Sequence, residues 1–149
     1  MTRSNARELA LHLILDIDYT KDPPAQVLDT RMQKEYYATL QQENAVYEER
    51  PNQKQLDYIR FVTTGVQAHE QELQGYIETY AIGWKVTRIS RLARASLELA
   101  WFEILYVEDV PASVAANEAT ELTKKYESEE TAAFVNGILG AFVRAQTQA

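Results

Sequence analysis

Arg3 and Arg7 stand four residues apart, and Lys85, Arg88, Arg91 and Arg94 follow one another at three-residue steps. Such cations chelate phosphate oxygens or a partner's carboxylates. On helices, the first pair shares one face near the positive end of the opening helix, and the second set forms a slowly drifting stripe. Residues 84–97 hold four cations and no carboxylate, in a chain of 149 residues with net charge -7. The acidic balance argues against broad attraction to nucleic acid, yet a local basic patch acts within a Debye length of about 8–10 Å.

Catalytic candidates are few. His69-Glu70 begins like a zinc-protease helix, but Leu73 stands where the second imidazole is needed. With two histidines and no cysteine, a transition-metal site or thiolate nucleophile is not expected. Asp16 and Asp18 offer ligands to a hard cation, although acids near a helix end are more often solvated. No glycine run makes a phosphate loop; Gly137-Ile138-Leu139-Gly140 imitates a nucleic-acid clamp inside a helical stripe, where small residues read as close helix packing. The expectation is a non-enzyme with no cofactor, no metal and no small-molecule substrate.

The elements that must position the cations are helical. Ala6, Leu9, Ala10, Leu13, Ile14 and Ile17 form one stripe, with Asn5 and Glu8 resembling an N-cap and its acidic partner. Lys21-Asp22-Pro23-Pro24 stops that helix. A second helix is predicted over 25–40, a polar connection over 41–55, and one long helix through Ile59, Val62, Val66, His69, Leu73, Ile77 and Tyr80, ending at Gly83. The pattern resumes from Ile89 through Leu105 and breaks before Pro111. It then runs through Ala115, Ala119, Leu122 and Tyr126. Ser128, followed by Glu129 and Glu130, makes an N-terminus for the last helix, which buries Phe134, Val135, Ile138, Leu139, Phe142 and Val143. The spacing predicts an all-α, single-domain bundle over 1–149 with about six or seven helices. The first residues lack a signal-peptide pattern and no apolar run nears the roughly 20 residues of a membrane span, so a cytoplasmic protein without membrane contact is expected.

The C-terminal third carries a more specific pattern. Pro111, Val114, Asn117-Glu118, Leu122, Lys124, Ser128, Glu130 and Phe134-Val135-Asn136-Gly137 resemble the NusB family, as do Trp84, Arg88 and Glu103 upstream and Ala6 to Leu11 at the front. The resemblance implies an all-helical RNA-binding domain, NusB-like, that pairs with the ribosomal protein NusE. Together they would bind the boxA element of ribosomal RNA leaders as a single strand and promote read-through by RNA polymerase in a transcription antitermination complex. On matching positions it implies phosphate contact by Arg3 and Arg7, with Ser4 and Asn5 as nearby donors. It places Glu130 and Phe134 on the rim that meets RNA and partner, and reads Asn117 and Asn136 as buried residues that hold helices together. The chain departs from the family at Glu98, where arginine is frequent, at Thr123, in an extended loop around Pro51, and in a thinned N-terminal arginine cluster. Lys85, Arg88, Arg91 and Arg94 are then expected to supply the missing cationic surface for RNA or to dock an acidic edge of NusE. The alternatives are a NusB-like interaction module without RNA binding, or an isolated domain of the kind fused to ribosomal RNA cytosine methyltransferases. The sequence leaves open whether Tyr36, Tyr37 and Tyr47 add a contact surface.

Overall fold

The computed structural model describes residues 1–81 and 89–147. Trp84, Lys85 and Arg88 therefore lie outside the described residues, as does the predicted helix end at Gly83. Among the described residues there are eight α-helices, one 3-10 turn and no strand, so the helical class is as expected and the helix number exceeds the predicted range. The chain divides into two compact units, residues 1–67 and 68–149.

The first unit begins with α1 (Arg3–Thr20). Its N-cap is Thr2, whose Oγ1 accepts the Asn5 backbone N–H at 3.0 Å; the predicted Asn5 cap is thus displaced by three residues. Residues 6–11 are buried all round the helix, Arg7 and Glu8 included. Lys21 closes α1 in the left-handed region, φ 62°, with its N–H on the Ile17 carbonyl at 2.9 Å.

The single helix predicted over 25–40 is two, α2 (Pro24–Arg31) and α3 (Lys34–Thr39). The break is held from a distance. Arg50 Nη2 donates to the Met32 carbonyl at 2.7 Å, supplying a partner at the end of α2 that continued helix would otherwise provide. Tyr37, 1% exposed, donates its hydroxyl to the Glu49 carbonyl at 2.6 Å. The polar connection contains a 3-10 turn (Ala45–Glu48), capped by Asn44, whose Oδ1 accepts the Val46 N–H at 3.0 Å. Tyr47 meets His12 Nδ1 through its hydroxyl at 2.6 Å, and Tyr36 bonds Arg31, which also pairs with Asp16 at 3.1 Å. Each of the three tyrosines has an intramolecular partner. Helix α4 (Gln53–Ala68) follows.

Burial pushes the Tyr37 phenol up to about 12. An acid held neutral in the fold and free to ionise when unfolded loses stability as pH rises from its ordinary value near 10 toward the raised one. Denaturant midpoints should therefore fall across that window. Tyr37→Phe should flatten the decline while costing about 1 kcal/mol at neutral pH for the lost hydrogen bond. An equally steep alkaline decline in the variant would assign it to other groups.

The second unit holds α5 (Glu70–Tyr80), α6 (Arg91–Tyr106), α7 (Ala112–Tyr126) and α8 (Glu129–Thr147). The long helix predicted through Tyr80 stops at Ala68, and His69 precedes α5 with φ -104° and ψ 20°. His69 stacks on Tyr106 with ring centroids 4.4 Å apart, while the Tyr106 hydroxyl donates to Glu72 at 2.7 Å. These contacts from α6 fix the start of α5 at a position where local periodicity shows no interruption.

Helix α6 is the unit's central helix, with residues 95–103 all buried, and it packs against α5, α7 and α8. Trp101, Tyr76, Tyr80 and Phe142 form its aromatic core, with centroid distances of 5.0–6.0 Å. Pro111 stands at the N-cap position of α7, immediately before its first turn. Ser128 caps α8 as predicted, its Oγ accepting the Thr131 N–H at 3.1 Å. Two packing expectations fail. A Cβ on Gly137 would meet nothing within 4 Å, and one on Gly140 would meet only the Arg144 guanidinium, at 3.2 Å, so neither glycine marks close helix contact. Asn117 and Asn136 are exposed, and Asn136 reaches Thr120 only at 3.5 Å.

Candidate nucleic-acid interface

In the first unit the start of α1 is tied to the start of α4. The Met1 amino group lies 2.5 Å from Glu49, and Gln55 Nε2 donates to the Met1 carbonyl. Arg3, half-buried, lays its guanidinium over the Tyr58 ring, 4.4 Å from the centroid, in a cation–π contact. Ser4 and Asn5 project into solvent on the same first turn. Beside them opens a depression of about 210 Å³, lined by Arg3, Ala6, Asn52, Lys54, Gln55 and Tyr58.

Arg7 is elsewhere. At 3% exposure it lies in the buried stretch of α1, where it has interactions within the fold, so it does not present its guanidinium to solvent beside Arg3. Sequence spacing registers that two arginines share a face; it does not register that this face is covered. Sequence reasoning also missed Asn52, Lys54, Gln55 and Tyr58. The signal was present in Pro51-Asn52-Gln53-Lys54-Gln55. Asn52 Oδ1 accepts the Gln55 N–H at 2.9 Å, and Gln55 Oε1 accepts the Asn52 N–H at 2.8 Å, a reciprocal helix cap that puts Lys54 in the first turn of α4.

In the second unit Ser90 caps α6, accepting the Ala93 N–H on Oγ at 3.1 Å. Arg91 follows it, exposed, and Arg94 is half-buried, its Nε enclosed without a hydrogen-bond partner. Near these starts lies a depression of about 250 Å³, whose lining includes Ser90, Ala93, Glu127, Glu130, Thr131 and Phe134. Of the residues singled out from sequence, Glu130, exposed, and Phe134, half-buried, therefore share one recess. Neither Arg91 nor Arg94 lines it.

The two depressions differ in chemistry. The first is lined by two cations and two amides with no carboxylate, suited to an anion. The second has an aromatic face, two hydroxyls and two carboxylates, which can stack a base and accept hydrogen bonds from its amino group or from ribose. Among the described residues no three side chains form a metal-ligand cluster, and no helix is long and apolar enough to cross a membrane.

Helices that carry such recesses make an all-helical binding scaffold. The comparisons with known proteins give the particular family. Residues 4–144 match the model of the NusB family, and the chain belongs to that family. The transcription antitermination protein NusB of Acetivibrio thermocellus is 37% identical over 144 residues, covering 97% of this chain and 90% of that protein. Among solved structures, T. maritima NusB superposes with a TM-score of 0.78 at 23% identity, over 97% of this chain and 92% of that one. NusB from a complex of antitermination factors NusB and NusE with double-stranded RNA gives 0.74 at 21% identity, over 96% of each chain. At these identities the structural likeness carries the fold.

Proposed function

We propose that the chain is a non-enzymatic, cytoplasmic transcription antitermination factor of the NusB type. It binds boxA-like single-stranded RNA of ribosomal RNA leaders together with NusE and promotes read-through by RNA polymerase. The observation that carries this reading is identity of 37% with a NusB antitermination protein across 97% of the chain. The family match runs through both compact units, which supports treating residues 1–149 as one functional domain.

On this reading the residues divide the work. Arg3, with Ser4 and Asn5 beside it, holds backbone phosphate; Phe134 stacks a base and Glu130 accepts from its edge. Arg91 and Arg94, at the start of α6, supply positive charge to RNA or to an acidic edge of NusE, and Lys85 and Arg88 extend that charge in sequence. Arg7 serves the fold instead.

Titration of labelled boxA-like and scrambled RNA, with and without NusE and at two salt concentrations, tests the reading. The expected result is selective binding that tightens with NusE and weakens as salt rises. Binding to NusE without RNA selectivity would replace it with the interaction-module alternative.

A further inference from the structure

The depression at the start of α4 has a composition that the chain as a whole does not share. In a protein of net charge -7, its polar lining consists of Arg3, Lys54 and the amides of Asn52 and Gln55, above the Tyr58 ring. The reciprocal cap occupies Asn52 Oδ1 and Gln55 Oε1, and Gln55 Nε2 is taken by the Met1 carbonyl. What the cap leaves for a ligand is therefore donors, the Asn52 amide NH2 and the Lys54 ammonium, beside the Arg3 guanidinium that lies over the Tyr58 ring. Lys54 is exposed and has no ion-pair partner among the described residues. By contrast, Lys21 pairs with Asp18, Arg31 with Asp16 and Lys124 with Glu129. Neither α1 nor α4 carries an acid in its first turn to oppose an anion there. The rim is rigid, because two helix starts and the residue before Thr2 are bonded to one another.

We infer that this depression is a phosphodiester subsite for single-stranded RNA, in which Lys54 of α4 and the capping Asn52 before it complete the phosphate contact that Arg3 begins. The inference rests on the RNA-binding reading and extends it to residues that neither spacing nor family resemblance assigns. It also accounts for the thinned arginine cluster: with Arg7 in the interior, the second cation at the N-terminal site comes from α4. A free phosphate ion would satisfy the same donors, so the test separates the two sources.

The full-length protein, Lys54→Ala, Asn52→Asp and the control Lys34→Ala are titrated with labelled boxA-like RNA over a series of chloride concentrations. Lys34 is an exposed lysine on α3. Asp caps a helix as well as Asn does, so Asn52→Asp keeps the start of α4 while placing a carboxylate among the donors. Lys54→Ala should weaken binding roughly fivefold and reduce the slope of log affinity against log salt by about 0.7, the value for one contact on a single strand. Asn52→Asp should weaken it further with unchanged circular dichroism, and Lys34→Ala should stay within about twofold of the parent. Parental binding by both site variants, or an equal loss in Lys34→Ala, overturns the inference while the RNA reading stands. Absence of selective RNA binding by the parent removes both. Amide shifts at 52–55 with inorganic phosphate at matched ionic strength, with RNA affinity unaffected by Lys54→Ala, would make this a free-phosphate site and overturn the RNA assignment.

Discussion

Arg7→Ala is expected to lower stability by about 3–5 kcal/mol, the range for removing one member of a buried charged group's set of partners. For a chain of this size that corresponds to a Tm lower by roughly 6–20 °C. The physical reason is the position of the side chain. A guanidinium 3% exposed, within an unbroken buried run of α1, persists only if the fold compensates its charge and donors. Truncation removes its interactions within the fold and adds a cavity where the aliphatic stem packed. Arg3→Ala provides the contrast, because its guanidinium lies over Tyr58 at the rim. That change should cost less stability than Arg7→Ala and should act mainly on RNA affinity. Thermal denaturation of both variants checks the distinction. An Arg7→Ala protein melting with the parent would contradict the burial of this side chain.

Phe134→Ala carries the largest expected effect on binding. Stacking a base on an aromatic ring contributes about 1–3 kcal/mol, so boxA affinity should fall roughly 5- to 150-fold. Phe134 is half-buried on α8, close enough to the core stripe of Val135, Ile138, Leu139 and Phe142 to be mistaken for one of its members. Its place in the lining of the second-unit depression, alongside Glu130 and Ser90, is what separates it from them. Circular dichroism of the variant shows whether α8 is retained, so that a loss of binding can be read as a loss of the stacking surface.

Much of the second unit was legible because its signals are local. Ser128 and the acids after it mark a helix start that the Thr131 N–H confirms, and the stripe from Val135 to Phe142 is buried as its spacing implies. What escaped was set by distant partners. The break at His69 depends on a stacked ring from α6, 37 positions along the chain, and the break after Arg31 depends on Arg50 reaching the Met32 carbonyl. Apolar spacing in the sequence runs on across both and marks neither. The candidate interface was legible in residue type and less so in role. Glu130 and Phe134 share a recess, whereas Arg3 and Arg7, equivalent in spacing, part company because burial is a property of the packed unit. Lys54 was hidden in a segment read as a loop, although Asn52 and Gln55 carried the cap that makes it helical.

The central claim is that arginine and lysine hold the RNA backbone while Phe134 and Glu130 distinguish its bases. The ratio of affinities for boxA-like over scrambled RNA, measured for Arg3→Ala, Phe134→Ala and Glu130→Gln against the parent, tests it most directly. The account predicts that Arg3→Ala weakens both RNAs alike and keeps the ratio. Phe134→Ala should lower the ratio mainly through loss of boxA binding. Glu130→Gln should tighten both RNAs by relieving repulsion from phosphate while the ratio still falls. A ratio unchanged in Phe134→Ala and Glu130→Gln, and reduced in Arg3→Ala, would contradict it.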